Sequence, residues 1–366
     1  MAKRRYLATL LVALGAVLAT ANPRGQEQAF GWIQFEEYLE SLRQLAGVPG
    51  LSAAIVKDGR IVWERGLGFQ DVEAGVRAAP DTTYHVVGLT QTVSTALLLE
   101  CAEQGRISLD TTIDRFTQLV PVPGVTLRHL LTHTSDAVPG TSFRFDLSRF
   151  AALTPAIESC WPGRSYREVL TRRILGRLGM AESVPGQNVV LPTVVPTLAP
   201  AIFDQLTLER YGALLARLAR PYGSGGAPAT YPSDTLDAAS GLVTTVRDLA
   251  RFDAALDDLV LLQAATVELM WTPPAQALPA PLPTQAVGPP LPHALGWFVQ
   301  THEGELLAWQ FGHWPGVTSS LIIKVPRQRL TFILLANSDG LASSSQLESG
   351  DVTRSLFARL FLRFFL

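Results

Sequence analysis

The stretch Thr82–Asp110, TTYHVVGLTQTVSTALLLECAEQGRISLD, decides how the rest of the chain is read. It begins as a short strand and turns tightly at Gly88. It then continues as a helix over Thr90–Gln104, with Gly105 at the position where a helix ends in the left-handed region. Apolar residues lie nearly all round this helix, so the pattern predicts a central, buried element. A tight turn leading from a strand into a buried helix is where many enzymes hold a nucleophile. Here the turn reads Gly88-Leu89-Thr90-Gln91.

Working outward, Phe35–Ala46 reads as a helix with Leu39, Leu42 and Leu45 on one face. Two β-rich runs then flank Lys57-Asp58-Gly59, a β-hairpin pattern in which Asp-Gly supplies the positive φ of the turn. Helical signals dominate from Thr126 to Ala265, among them Leu206–Arg220 and a run after Thr245, which stands as an N-cap with Asp248 three residues on. Ala275–Pro292 is Pro-rich and is expected to be a loop without regular structure. HALGWFVQ, LLAWQFG, VTSSLIIKV and RLTFILLAN then read as strands. The last segment, DVTRSLFARLFLRFFL, aligns Leu356, Leu360 and Phe364 on one helix face, punctuated by Arg354, Arg359 and Arg363. Covering one face of a sheet is the favoured reading of this helix, and attachment to a membrane surface is the alternative. The expected fold is α/β (α+β): an antiparallel sheet from both chain ends, flanked by helices, with a mostly helical lobe inserted. The sheet lobe covers residues 30–80 and 290–366, the helical lobe 88–265, and a cleft between them is the default binding site.

The composition is that of a globular chain: 366 residues, 47% hydrophobic, 17% charged, with a formal net charge of -2. Such a balance gives no electrostatic basis for binding nucleic acid. Residues 1–21 read as a signal peptide, with a basic start at Lys3, Arg4 and Arg5, an apolar run Tyr6–Leu18, and Ala19-Thr20-Ala21 as the cleavage pattern. The domain then spans residues 22–366, and the chain is expected to be exported, periplasmic or extracellular; an uncleaved membrane anchor is the alternative. Export permits a disulfide, but Cys101 and Cys160 fit a bridge and two separate buried thiols equally well. No His-Glu-x-x-His spacing occurs. His129 and His133, four apart, are a weak pair, and neither a metal nor another cofactor is expected.

The order of phrases is specific. VPGLSAAIVKDGRIVWERGLGFQDVEAG, DTTYHVVG, CAEQGRISLDTTI, VTLRHLLTHTSD, ILGRLGMAES, AASGLVTTVRDLARF, HALGWFV and FGHWPGVTSSLIIKVPRQRLTFILLANSDG resemble, in sequence order, the serine β-lactamase-related family. That family comprises class C β-lactamases, DD-peptidases and related esterases. The resemblance covers Val48–Asn337 and implies the family's fold. It also implies three motifs: Ser-x-x-Lys at the start of the central helix, Tyr-x-Asn on a loop, and Lys-x-Gly or His-x-Gly on a strand. On this chain the Ser falls on Gly88 and the Lys on Gln91. The Tyr falls on Phe145 and the Asn on Leu147. The third motif falls on His313-Trp314-Pro315, where a loop is about three residues short by this alignment. A shifted register does not restore the first motif, because the only lysines are Lys3, Lys57 and Lys324, and Ala54 and Leu321 stand three residues before the last two.

Glycine carries no atom to acylate, and glutamine accepts no proton at ordinary pH. The chain is therefore expected to be a non-hydrolytic member of the family, with a small ligand or peptide in the old cleft. His313, Trp314 and Gly316 are the cleft-binding candidates. One alternative is a hydrolase with a relocated set drawn from Thr90, Thr92, Ser94, His133, His313 and Asp136. Another is an interaction protein with a closed cleft. The resemblance also bears on the cysteines. Cys101 and Cys160 lie equally far beyond Gly88 and Leu147, so two helices running together from the cleft would bring them near each other.

Overall fold

The structure, a computed structural model, describes residues 23–190, 203–233, 235–277 and 287–366. The expected signal peptide and the middle of the Pro-rich segment lie outside these. The chain opens with helix α1 (Pro23–Leu45), which begins before the apolar pattern that marked it at Phe35. Strands β1 (Gly50–Lys57) and β2 (Arg60–Asp71) follow as the expected hairpin. Its turn residues Asp58 and Gly59 both have positive φ, 51° and 73°, as a tight two-residue hairpin requires. Short β3 (Val76–Arg77) and β4 (Tyr84–His85) lead to the central helix α2 (Thr90–Glu103).

The inserted region holds short helices: α3 (Leu127–Leu131), α4 (Leu147–Ala151), α5 (Thr154–Ser159), α6 (Tyr166–Leu170), α7 (Gln205–Leu215), α8 (Val246–Asp257) and α9 (Ala264–Met270). Helix α7 stops five residues short of the expected Arg220. A π-turn over Thr171–Leu175 follows α6. Strands β5 (Val184–Pro185) and β6 (Leu242–Thr244) join β4 in a small three-stranded sheet that the helical reading of this region missed. The ends of the Pro-rich segment also pair, as β7 (Ala275–Ala277) with β8 (Val287–Pro290), which corrects the expectation of a loop without regular structure. Proline is tolerated there because a two-stranded ribbon has only edges. The chain closes with β9 (Phe298–His302), β10 (Glu305–Trp314), β11 (Thr318–Val325), β12 (Leu330–Ala336) and helix α10 (Leu356–Phe365).

The large sheet has the order β3-β2-β1-β12-β11-β10-β9 and is antiparallel throughout, so strands from the two chain ends meet at the β1–β12 ladder. Side chains alternate across it with the period of two that a pleat dictates. Leu51, Ala53, Ile55, Phe332 and Leu334 face α1 and α10, while Ala54, Val56, Ile333 and Leu335 face the helical region. Lys324 breaks the apolar pattern of β11 on that second face. It is fully buried, and Asp253 and Asp257 of α8 hold its ammonium at 2.9 and 2.7 Å. Removing one partner from such a pair typically costs about 3–5 kcal/mol.

Helix α10 covers the sheet as favoured, but through a different stripe. Phe357, Ala358, Phe361 and Leu362 are buried against the strands, whereas Leu356 is 43% exposed and Leu360 and Phe364 are only partly covered. Helix α2 runs through the middle of the other core, with every residue from Thr90 to Cys101 buried. Its far end is tied by a disulfide between Cys101 and Cys160 at a Cα–Cα distance of 6.0 Å. A bridge closing a loop of this length contributes about 4 kcal/mol by chain entropy. The Cys101→Ser/Cys160→Ser double variant is expected to lose about 2–4 kcal/mol of unfolding free energy in urea titrations; a loss under 1 kcal/mol would show that the far end of α2 is held by packing alone.

Candidate functional site

Helix α2 starts from a short 3-10 turn, Val87–Leu89, and Gly88 sits in its middle, buried. Val87, one residue earlier, has φ +46°. A β-branched residue there costs about 1–3 kcal/mol, so the turn is strained beside the nucleophile position. The turn is held by the sheet. Ser320 Oγ donates to the Val86 carbonyl at 2.8 Å, and Val87 N–H donates to His85 Nδ1 at 3.2 Å.

Strand β10 lies directly on this turn. A Cβ at Gly88 would sit 2.4 Å from the Phe311 carbonyl oxygen, and a Cβ at Gly312 would sit 2.1 Å from the Val86 carbonyl oxygen. Both contacts are too short for any side chain, so the two glycines meet backbone to backbone. With the backbone placed as it is, a serine at position 88 has no room.

Beneath the turn, Gln91 is fully buried. Its Oε1 accepts from His133 Nε2 at 3.1 Å and from Gln310 Nε2 at 3.4 Å. Asp146 N–H donates to His133 Nδ1 at 3.1 Å, which fixes the imidazole as the neutral Nε2–H form. Gln310 Nε2 also donates to the Gly296 carbonyl at 3.1 Å and reaches His293 Nε2 at 3.5 Å. Burial, with His293 nearby, pushes the pKa of His133 well down, and burial takes His293 to about 3. Gln91 and its neighbours therefore form a neutral, buried network in which Gln91 Nε2 has no hydrogen-bond partner among the described residues.

Around the surface of this network is a cleft of about 440 Å³, lined by Gly88, Phe145, Asp146, Leu147, Ser148, Phe311, His313, Pro315 and Glu348. Five of the six motif positions line it; Gln91 does not, being buried below the floor. Phe145 stacks between His133 and Phe311, with ring centroids 4.6 and 5.1 Å away. Leu147 opens α4, capped by the Asp146 carboxylate, which accepts from Arg149 N–H. Burial raises the pKa of Asp146, but the Ser148 hydroxyl, the Arg149 N–H and Arg144 together hold it below the ordinary range. His313 is half-buried, and burial pushes its pKa down against the opposing pull of Asp339 and Glu348.

Two cleft-binding candidates are corrected. Trp314 turns away and stacks on His85 at 4.2 Å. Gly316 N–H, the first amide after Pro315, donates to Asp339 Oδ2 at 2.7 Å instead of facing the cleft. The cause is a tight turn at the end of β10. Trp314-Pro315-Gly316-Val317 forms a tight turn closed by Val317 N–H to the Trp314 carbonyl at 3.0 Å, with Gly316 at φ +68°. Pro then Gly at the two central positions is what a type II turn demands.

The relocated set is not brought together. Thr92 Oγ1 donates to the Leu89 carbonyl, Thr90 Oγ1 accepts from Leu242 N–H, and Ser94 Oγ bonds Tyr166 and the Ala238 carbonyl. Asp136 pairs with Arg144 and Arg149, and His133 is committed to Gln91. His129 and His133 share no helix face, because α3 ends at Leu131 and His133 has φ +51°. Sequence reasoning missed Asp146, Ser148, Phe311 and Glu348. Asp146 was readable as an N-cap before Leu147; Glu348 belongs to a separate turn that only the folded chain brings to the cleft.

Sheet, central helix and cleft define a serine-hydrolase fold of the penicillin-binding-protein type. A family model described as Beta-lactamase matches residues 35–350, and the chain belongs to that family. Its relatives include "Protein flp" of Staphylococcus aureus (strain N315), 29% identical over 108 residues, which are 28% of this chain and 22% of that protein. "Serine beta-lactamase-like protein LACTB, mitochondrial" of Homo sapiens is 27% identical over 106 residues, 27% of this chain and 19% of that protein. The matched segment is thus about a fifth of either relative's length. Among solved structures, an octameric penicillin-binding protein homologue from Pyrococcus abyssi superposes with a TM-score of 0.67 at 23% identity, covering 84% of this chain and 73% of that one. A penicillin binding protein from Bacillus halodurans gives 0.64 at 18% identity, covering 82% and 96%. Both share the fold.

The neutral network carries a pH signature. His133 and His293 have folded pKa values below their unfolded values, so the unfolded chain binds more protons as pH falls. Stability is therefore expected to fall from about pH 6.5 toward the folded pKa values, by about 1.4 kcal/mol per pH unit for each histidine. Urea titrations from pH 6.5 to 5 check this; a flat profile would mean that these imidazoles are solvated.

Proposed function

We propose that this chain is a non-hydrolytic member of the beta-lactamase family whose inter-lobe cleft binds a small ligand or peptide. The observation that carries the reading is the Phe311 carbonyl oxygen lying 2.4 Å from where a Cβ at Gly88 would be. The strand thus fills the space in which a nucleophile would stand. Three further features agree with it. Gln91 is hydrogen-bonded to two neutral partners. Phe145 offers a ring without a hydroxyl. The Gly316 amide, the first after Pro315, is engaged by Asp339 rather than free to stabilise an oxyanion. Losing one proton-transfer group typically costs about 10²–10⁴-fold in rate, and losing the nucleophile removes the covalent route altogether.

The cleft walls favour a ligand with an apolar body. Phe145, Leu147, Phe311 and Pro315 supply the walls; on the rim Asp146 is paired with Arg144 and Arg149, which leaves Glu348 as the carboxylate without an ion pair among the described residues. A neutral or cationic polar group suits this rim better than a carboxylate. The disulfide supports an exported, oxidising location.

The purified protein is expected to give no turnover of a chromogenic cephalosporin or a short-chain ester above the buffer rate. It should take no label from a fluorophosphonate or penicillin probe, read by intact mass. The Gly88→Ser/Gln91→Lys double variant should remain inactive, because Phe145, Leu147 and Pro315 are unchanged and the serine Cβ meets Phe311. A stoichiometric acyl adduct would overturn the reading, above all on Ser148, the one hydroxyl lining this cleft among the described residues.

A further inference from the structure

Helix α10 has two apolar faces, and the sheet uses only one. The stripe Phe357, Phe361 and Leu362 is buried, and Phe332 and Phe361 stack at 5.0 Å. The second stripe, Leu356, Leu360 and Phe364, points instead into a groove between α10 and α1. That groove measures about 720 Å³ and is lined by Gln34, Tyr38, Leu42 and the second stripe, together with Arg359 and Arg363. Tyr38 is 56% and Leu356 43% exposed.

Charge sets this groove apart from an ordinary surface furrow. Arg359 and Arg363 are exposed, one turn apart on the rim, and neither has a carboxylate partner among the described residues. Most other arginines of the described chain are ion-paired, Arg43 with Glu40 and Arg65 with Glu36 on α1 itself among them. No acidic side chain lines the groove. Leucines and aromatic rings interleaved with unpaired arginines on one helix face form the pattern that lies in the headgroup layer of a bilayer, where guanidinium groups meet phosphates and the rings sit at the acyl boundary. Helix α1 forms the other wall of the groove. No helix among the described residues is long and apolar enough to cross a membrane, so contact through this face would be peripheral.

We propose that the α1–α10 face docks on an anionic lipid surface, with Arg359 and Arg363 on lipid phosphates and Leu356, Leu360, Phe364 and Tyr38 at the acyl boundary. This is independent of what the cleft binds. The test is vesicle co-sedimentation of the full chain, carried out on a K3Q/R4Q/R5Q background so that the N-terminal charges do not mask the effect. The reading is the ratio of affinity for vesicles containing phosphatidylglycerol to that for pure phosphatidylcholine. R359E/R363E is expected to lower this ratio at least about tenfold, while R359K/R363K preserves it. Equal thermal midpoints confirm that the variants are folded; both substitutions are on exposed positions. An unchanged ratio in R359E/R363E overturns the proposal. So does a change confined to sedimentation velocity, which would make the face a contact between copies of this chain.

Discussion

Two glycines facing each other across a few ångströms set the character of this molecule. Gly88 on the turn before α2 and Gly312 on β10 lie so close to the opposing carbonyls of Phe311 and Val86 that neither position admits a Cβ. Much else follows from that contact. It seats the sheet on the start of the central helix, and Ser320 fastens it through the Val86 carbonyl. It also puts strand backbone where a side chain at position 88 would stand. Val87, which precedes Gly88, is strained at φ +46°, and the space above the turn is closed by β10.

Below the turn lies a buried, neutral network around Gln91. A lysine buried at position 91 would need a carboxylate or an equivalent acceptor to remain charged. Gln91 Oε1 accepts from His133 and Gln310, although Gln91 Nε2 has no partner among the described residues, and His133 sits in an aromatic shell of Phe143, Phe145 and Phe150. The network is coherent with its surroundings: Phe145 packs on His133 where a tyrosine hydroxyl would have lacked a charged partner. Gly88, Gln91 and Phe145 are therefore parts of one packing solution, and changing one of them leaves the others opposed to the change.

Much of the architecture was legible in the sequence because it rests on periodic signals. The β1–β2 hairpin, the buried α2, the Thr245-capped α8 and the four C-terminal strands all follow from spacing and turn chemistry. Ordered phrases and the lysine census singled out six positions, and five of them line one cleft. Contacts between distant backbones were not legible. Nothing in FGHWPG announces that Gly312 rests on Val86, that Gly316 turns to Asp339, or that Trp314 leaves the cleft to stack on His85. The short strand β4 was legible before Gly88, but β5 and β6 escaped because two or three residues carry no period. The α10 face was misassigned because the helix is apolar on two sides, and periodicity alone does not say which side meets the sheet. Glu348 reaches the cleft only through tertiary structure.

The stability of Gly88→Ala tests the closure most directly. Gly88 does not occupy the left-handed region, so on backbone entropy alone alanine would stabilise the protein by about 0.4–1 kcal/mol. If β10 rests on this turn, the added Cβ must push the strand away, and the variant should lose about 1–3 kcal/mol or more in urea titrations. A neutral or stabilised Gly88→Ala would contradict the account, because it would mean that the space above position 88 is open to a side chain.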